Sequence, residues 1–562
     1  MKRKTLYEKF EKKLYNEKLL GSFRELIYQS ADKFATRPAF QLKEKDGKYK
    51  YVTYAQLKEQ FRILSSALIE RGHWGKKIGI VGKNSSSWAI SYLCAATIGV
   101  AVPMDKELSA EDINNFIVAA ECTAVLADED ILNKLSPLCS DNVELISLQN
   151  IDDIISDFSG NIDSRIDTYQ PKDDEMKVLI FTSGTTAKSK GVCLSQKNIL
   201  SNIYQTVRMV KIRPDDKTLS ILPLHHTYEC TLNNLLMFSR GSCISYADGL
   251  TKIPQNMTEY QPTVLVVVPA LLEMVMKRIR KTVAKQCPAR YKQYFEDYSF
   301  SEALNKVPFF IKYAICQKVR KSLGGKLRVF IVGAADLAPK LVEDYLALGI
   351  RTLQGYGLTE CSPLLAGNND FYLNANSTGI AIPGVEIKID NPDSSGVGEI
   401  IARGDNIMLG YYRDEEATAR VMRNGYFHTG DLGCMDEDGY LYIKGRLKNV
   451  IVTSNGKNIY PEEIETRLKE YEDVSEVLVL AGKGKDNEVC VKAKVLPNLD
   501  NIIQKVGHLP NEEEIHAAVK SIIEEINKKL PSYKHIRIIE ILSEELEKTS
   551  TRKIRRYGMN LA

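Results

Sequence analysis

Short apolar runs separated by longer amphipathic stretches recur through the first part of this chain. Residues 77–82 (KIGIVG), 124–127 (AVLA), 178–181 (VLIF), 218–222 (TLSIL), 262–269 (PTVLVVVP) and 327–333 (LRVFIVG) are read as buried strands. Residues 40–42 and 49–53 flank Asp46-Gly47, which predicts a hairpin between two helical patterns within 23–71. Asn84-Ser85-Ser86 offers a helix cap, and 196–210 is a further helical stretch. Strands alternating with helices in this way predict parallel α/β layering. Residues 89–104 are mostly apolar but contain Ser91, Thr97 and Pro103, too little for a bilayer span, so a buried helix running into a strand is expected.

Beyond Arg446 the pattern changes. A helix is predicted to open at Pro461, with Glu462 and Glu463 favourable to its dipole and Ile464 and Leu468 turned inward. Strands at 476–480 and 489–496, a helix over 512–530 stopped by Pro531, and a strand at 536–542 complete a compact α+β unit. The fold class read from these patterns is α/β. A large N-terminal domain of layered sheets and helices with a β-rich subdomain (1–447) precedes a small C-terminal domain (448–562).

Composition narrows the function classes. Acidic and basic residues are interleaved, and 76 Lys and Arg against 72 Asp and Glu leave a net charge of only +4, so nothing in the charge argues for nucleic acid. Eleven cysteines stand singly with no C-x-x-C pair, which predicts reduced thiols and a cytoplasmic location. The opening MKRKTLYEKFEKKLYNEK has no apolar h-region and is not read as a secretory signal. Leu6, Phe10 and Leu14 would share one face of a helix there; that stripe packs on the protein or attaches peripherally to a membrane.

Candidate chemistry clusters in a few segments. After the strand at 178–181, the residues Thr182, Ser183, Gly184, Thr185, Thr186, Lys188, Ser189, Lys190 and Gly191 present hydroxyls, backbone donors and ammonium groups suited to a polyphosphate. The spacing is not that of a Walker A loop, and a polar surface loop is the plain alternative. In 354–363 (QGYGLTECSP), Gly355 and Gly357 bracket an aromatic able to stack on a base, and Glu360 suits Mg²⁺ or a surface ion pair. His225 and His226 follow a strand and are catalytic, metal-binding with Glu229 or Cys230, or simple fillers. Gly333-Ala334-Ala335 leaves room for a flat base or for tight packing. Asp431 is suited to two vicinal hydroxyls of ribose, or to an Asx-turn opening the following hairpin. On charge alone, 548–556 is a solvated basic tail.

TSGTT followed by Lys190-Gly191 resembles the phosphate loop of the adenylate-forming superfamily, which includes acyl-CoA synthetases, luciferases and peptide-synthetase adenylation domains; Ala187 and Ser189 depart from its usual TSGTTG-x-PKG. QGYGLTECSP is similar to the YG-x-TE segment of that family and lies downstream, as the family order requires. PLHHTYE (223–229), GYFHTGDLG (425–433), KGR (444–446) and KTSTRK (548–553) continue the resemblance, with Arg552 in place of a glycine.

The resemblance implies an AMP-forming acyl-CoA synthetase, most like long-chain fatty acid–CoA ligases. Such an enzyme joins a carboxylate to the α-phosphate of ATP, releases pyrophosphate, then passes the acyl group to CoA. It also implies roles. Thr182, Ser183, Gly184, Thr185, Thr186 and Lys190 hold phosphates, while Glu360 and Thr185 organise Mg²⁺. Gly333, Ala334, Ala335, Gly355, Tyr356, Gly357 and Thr359 receive adenine, and Asp431 and Arg446 the ribose. His226, Tyr228 and Gly355 wall the acyl pocket. Lys553 bridges carboxylate and α-phosphate, Lys448 is the hinge of a mobile C-terminal domain, and Ser454 and Gly456 approach CoA. An acyl carrier protein in place of CoA is the near alternative. A nucleotide-binding regulatory protein without chemistry is the distant one.

Overall fold

The computed structural model describes residues 6–44, 46–182, 189–453, 457–484, 488–548, 554 and 556. One sheet has nine strands in the order Ile380–Ala381, Leu364–Gly367, Arg351–Gly357, Val329–Val332, Val264–Val267, Lys217–Ser220, Cys243–Tyr246, Pro38–Lys43 and Tyr49–Thr53. Its inner strands run parallel and antiparallel strands finish both edges. A second sheet has seven: Gly410–Tyr411, Lys190–Ser195, Met176–Thr182, Val100–Met104, Lys77–Val81, Cys122–Ala127 and Glu144–Ser147.

Alternation along the strands of the nine-stranded sheet divides its two faces. Val264 and Val266 enter the core shared with the seven-stranded sheet, whereas Leu265 and Val267 face a second core built with the helices Pro269–Gln286 and Pro339–Ala347. The helix Ser86–Ile98 carries no charge and is buried on nearly every side, as an all-round apolar helix must be. It runs directly into the strand Val100–Met104, the arrangement its apolar run predicts. The helix Gln196–Met209 starts from a Ser195/Asn198 capping box. It satisfies its buried amides on distant carbonyls: Asn198 on Asp405 and Ile407, Asn202 on Leu364.

Glu386–Asp390, Gly398–Arg403, Tyr426–Met435, Met422–Arg423 and Leu441–Arg446 form the β-rich part. The C-terminal unit is a three-stranded sheet, Val474–Lys483, Val489–Pro497 and Ile536–Ile541, packed on the helices Pro461–Lys469 and Glu512–Lys529 around its own core. Among the described residues, polar contacts reach from it to the larger part from Thr466 to Asp336 at 3.4 Å, from Arg280 to Glu472 at 3.6 Å and from Tyr460 to Asp393 at 3.3 Å.

The N-terminal helix Leu6–Glu11 places Phe10, fully buried, edge-on against Phe371 and Tyr372. Lys13 lies over the Tyr372 ring and Leu14 packs against the same core, so Phe10 and Leu14 of this stripe pack on the protein. All eleven cysteines are free. Among the described residues no helix is long and apolar enough to cross a membrane.

Candidate active site

The strands Met176–Thr182 and Lys190–Ser195 pair antiparallel with Thr182 opposite Lys190, so the candidate phosphate loop is the connection of a hairpin. Ser183, Gly184, Thr185 and Thr186 lie outside the described residues. Gly191 sits within the strand and does not adopt positive φ; a Cβ there would stand 2.9 Å from Leu179 and 3.1 Å from Tyr412. Close packing, not conformational freedom, requires the glycine.

Two polar assemblies flank this hairpin. The Lys190 ammonium lies 4.5 Å from the centre of the Tyr411 ring, and the Tyr411 hydroxyl donates to Glu360 Oε1 at 3.0 Å. Among the described residues Glu360 makes no ion pair and its second oxygen accepts no hydrogen bond, leaving a carboxylate oxygen of the kind Mg²⁺ takes. In the second assembly the Tyr356 hydroxyl donates to Asp431 Oδ2 at 2.7 Å, and Arg446 Nε lies 2.6 Å from Asp431 Oδ1. Burial, and then the Asp431 charge, push the Tyr356 hydroxyl well above the usual tyrosine range. Tyr356 and Glu360 belong to one short segment, which couples the assemblies.

Asp431 lies inside the strand Tyr426–Met435, at a bulge. Glu399 pairs with Leu432 but Ile401 pairs with His428, and Gly430 within the bulge has φ +70°. Asp431 stands opposite Arg446 on the neighbouring strand. The turn-forming alternative falls to Asp436, whose carboxylate accepts from the backbone of Asp438 and Tyr440.

A cavity of about 1720 Å³ gathers His226, Tyr228, Gly333, Ala334, Gly355, Tyr356, Gly357 and Thr359. Tyr228 braces two strand ends, donating to Ile331 O at 2.9 Å and Val267 O at 3.2 Å, and its ring stands 3.1 Å from where a Gly333 Cβ would be. Ala334 follows with φ +72°, a strained conformation for a residue with a Cβ, and Ala335 is exposed outside the cavity lining. Gly357 has no alternative, since its Cβ would fall 1.8 Å from Pro363 O. Gly355 packs against Leu364 in the same manner.

The histidines do not assemble a metal site. His225 lies against His226 with ring centres 4.0 Å apart and planes tilted by 48°, and has Asp105 at 3.7 Å; burial, and then Lys106, push its imidazole down to about 3, so it is neutral. Glu229 turns away to accept from Ser220 and Asn233, both at 2.6 Å. Burial pushes its carboxyl up to about 8, and its other oxygen is buried without a hydrogen-bond partner. It too lines the cavity. The one cluster with metal-ligand spacing among the described residues, Asp390, Glu399 and His428, lies elsewhere, with Arg423 2.8 Å from His428.

Lys448 is exposed in the turn Leu447–Asn449. Ser454, Gly456 and Lys553 lie outside the described residues. On the far side of Lys553, Ile554 bridges to Lys548 and Arg556 pairs with Glu465 while donating to Val479 O at 3.2 Å. Lys548, Ile554 and Arg556 are therefore held on the C-terminal unit. Sequence reasoning assigned no role to Tyr411 or Arg556, whose partners are remote along the chain, and offered Glu229 only as a metal ligand beside the histidines.

From the helix Pro269–Gln286, Leu271, Val275, Ile279 and Val283 extend the cavity wall, and Ile311, Ile315 and Val319 of the helix Phe309–Ser322 face it. The space thus has a polar end at the strand termini and an apolar arm between two helices.

The profile of a family described as AMP-binding enzyme matches residues 27–412, and that of an AMP-binding enzyme C-terminal domain matches 448–559. Long-chain-fatty-acid–CoA ligase 5 of Rattus norvegicus is 27% identical over 536 residues, covering 85% of this chain and 77% of that protein. Long chain acyl-CoA synthetase 1 of Arabidopsis thaliana is 30% identical over 508 residues, covering 82% and 76%. Among solved structures, the anthranilate CoA ligase AuaEII in complex with anthranoyl-AMP superposes with a TM-score of 0.77 at 18% identity, over 97% of both chains. ATP-bound MatB from Rhodopseudomonas palustris gives 0.75 at 23%, over 96% of this chain and 98% of that one.

Proposed function

The chain belongs to the AMP-binding enzyme family of adenylate-forming ligases, and from that premise we propose that its acid is a medium- to long-chain fatty acid and its acceptor CoA. It is an AMP-forming acid–thiol ligase, and ATP, Mg²⁺ and CoA are the usual requirements of that family. The observation that carries the fatty-acid reading is the apolar arm of the cavity. At about 1720 Å³ the whole space exceeds the roughly 300–1,000 Å³ of an ordinary ligand pocket. Isoleucine, valine and leucine side chains offer an alkyl chain apolar surface, with Arg278 and Lys318 also in the lining.

A carboxylate oxygen is a poor leaving group. Attack on the α-phosphate makes that oxygen part of AMP, a good one, as pyrophosphate departs. Positioning and charge neutralisation supply most of such catalysis. In this reading the 182–190 hairpin holds the β- and γ-phosphates. Asp431 accepts from the ribose hydroxyls, held in aim by Arg446 and Tyr356. Glu360, oriented by Tyr411, supplies a carboxylate to Mg²⁺, which when bound neutralises phosphate charge. His226, Tyr228 and Gly355 wall the acyl group where it meets the nucleotide. Lys553 bridges carboxylate and α-phosphate. The unit from 448 onward then pivots at Lys448, bringing Ser454 and Gly456 toward the thiol.

The test is acid-dependent exchange of pyrophosphate into ATP across acids from acetate to palmitate, with aryl and amino acids included. Exchange rising with alkyl length supports the reading; a preference for aryl or amino acids overturns it. Product formation with CoA and with a carrier protein's phosphopantetheine then decides the acceptor.

A further inference from the structure

The helix Pro269–Gln286 has a second face that the reaction described above leaves unused. Leu271, Val275, Ile279 and Val283 follow one another at the spacing of a helical stripe and turn toward the acyl arm. Glu273, Lys277 and Arg280 share the opposite side, since three or four residues return a helix to the same face. The C-terminal unit meets the helix there. Arg280 lies 3.6 Å from Glu472, in the turn that joins the helix Pro461–Lys469 to the strand Val474–Lys483, and Glu273 is within reach of the Lys469 charge. One helix thickness, roughly 10 Å, separates the acyl arm from the C-terminal unit.

Arg280 is held ready for that meeting. Its Nη2 donates to Tyr298 O at 2.9 Å and Glu296 O at 3.3 Å, the last carbonyls of the helix Ala289–Asp297, where a cation also suits the helix dipole. The other terminal nitrogen, Nη1, faces Glu472. Fixing the guanidinium on two carbonyls removes most of the side-chain entropy that an exposed ion pair ordinarily surrenders. On the partner side, Asn498 donates to Glu472 O at 2.9 Å and so holds the backbone of that turn. A second landing point lies beside the proposed nucleotide site, where Thr466 is 3.4 Å from Asp336, two residues beyond the strained Ala334 of the cavity lining. Nearer along the chain to Lys448, Tyr460 is buried against Val397 and Leu432. The contact next to the hinge is thus largely apolar and those further out are polar, which suits an interface that opens without unfolding.

We infer that Arg280 and Glu472 form a latch that positions the C-terminal unit for adenylation and parts before thioester formation. The hairpin expected to approach CoA supports the assignment. Val452 and Lys457, on either side of its tip, are exposed, and among the described residues nothing from 448 onward lines the cavity. The arrangement seen is therefore not the one that receives the thiol. The inference rests on the proposed pivot at Lys448 and adds the residues that hold one of its two positions.

The test measures both half-reactions in the full chain: pyrophosphate exchange, and thioester formation from preformed acyl-adenylate and CoA. Glu472→Lys should lower exchange about fivefold at low salt and leave thioester formation at or above the wild-type rate. High salt, which screens an exposed pair, should erase the difference. Arg280→Gln, which keeps a donor for the Tyr298 and Glu296 carbonyls, should act in the same direction. The double variant should be no slower in exchange than Glu472→Lys alone, because the same contact is lost in each. Equal losses in both half-reactions, additive losses in the double variant, or no loss at all overturn the latch. Lys553→Ala, assayed alongside, separates the two levels. If it slows both half-reactions equally, the pivot itself fails; if it divides them and Glu472→Lys does not, only the latch fails.

Discussion

The polar assemblies beside the cavity and its apolar arm are built on opposite principles. Where the nucleotide is proposed to bind, polar groups are tied to one another: Tyr356 and Arg446 to Asp431, Tyr411 to Glu360 and Lys190. At the acyl end the wall helix Phe309–Ser322 buries one side chain. A phosphoryl centre needs donors held to within a fraction of an ångström, because its transition state is stabilised by fixed charge. An alkyl chain presents no direction to read, so a loosely packed wall suffices. Precision is concentrated where charge develops, and latitude where only area is buried.

Four substitutions would break or sharpen this contrast. Lys553→Ala should lower pyrophosphate exchange about a thousandfold for every acid, and leave thioester formation from preformed acyl-adenylate largely intact. Equal losses in both assays would reject the division of labour. Val283→Trp, filling the apolar arm, should cut exchange with palmitate about thirtyfold while sparing acetate; equal losses for both acids would place the chain elsewhere. Tyr411→Phe keeps the ring over Lys190 and removes the hydroxyl from Glu360, so exchange should fall about tenfold irrespective of chain length, with an increased Mg²⁺ requirement.

The smallest effect concerns Glu229. Burial raises its carboxyl to about 8, above the ordinary carboxylate range. The folded chain therefore holds a proton that the unfolded chain releases, and the stability it contributes is full below the ordinary range and lost as pH rises through about 8. Glu229→Gln removes this dependence. Wild-type thermal stability should fall relative to the variant by a few degrees between about pH 5 and pH 9, and palmitate exchange should weaken above about pH 8 in the wild type alone. Parallel curves would mean that another group titrates.

Much of the architecture follows from local pattern. The strand Val264–Val267 and its alternating faces, the Ser86–Ile98 helix entering Val100–Met104, and the Pro38–Lys43 hairpin with Tyr49–Thr53 are all visible as periodicity and turn residues. Boundaries shifted by a residue or two, as with 218–222, where the strand is Lys217–Ser220 and Ile221 and Leu222 instead line the cavity. The three helices between Ala289 and Ser322 were not separated by any pattern read from the sequence.

By itself the chain determined which segments carry hydroxyls, carboxylates and ammonium groups, and in what order, because those are properties of neighbours along the backbone. Only the tertiary structure decided that Tyr411 serves Glu360, that a bulge aims Asp431 at Arg446, and that Glu229 keeps its proton. It alone decided that Phe10 is covered whereas Phe309 is not. Each of these depends on which remote strand or helix comes to lie alongside, and the sheet order, which places Val264–Val267 beside Lys217–Ser220 and Pro38–Lys43 beside Cys243–Tyr246, does not follow the order of the sequence. Burial and pairing across such distances set the electrostatics, and no spacing within a motif encodes them.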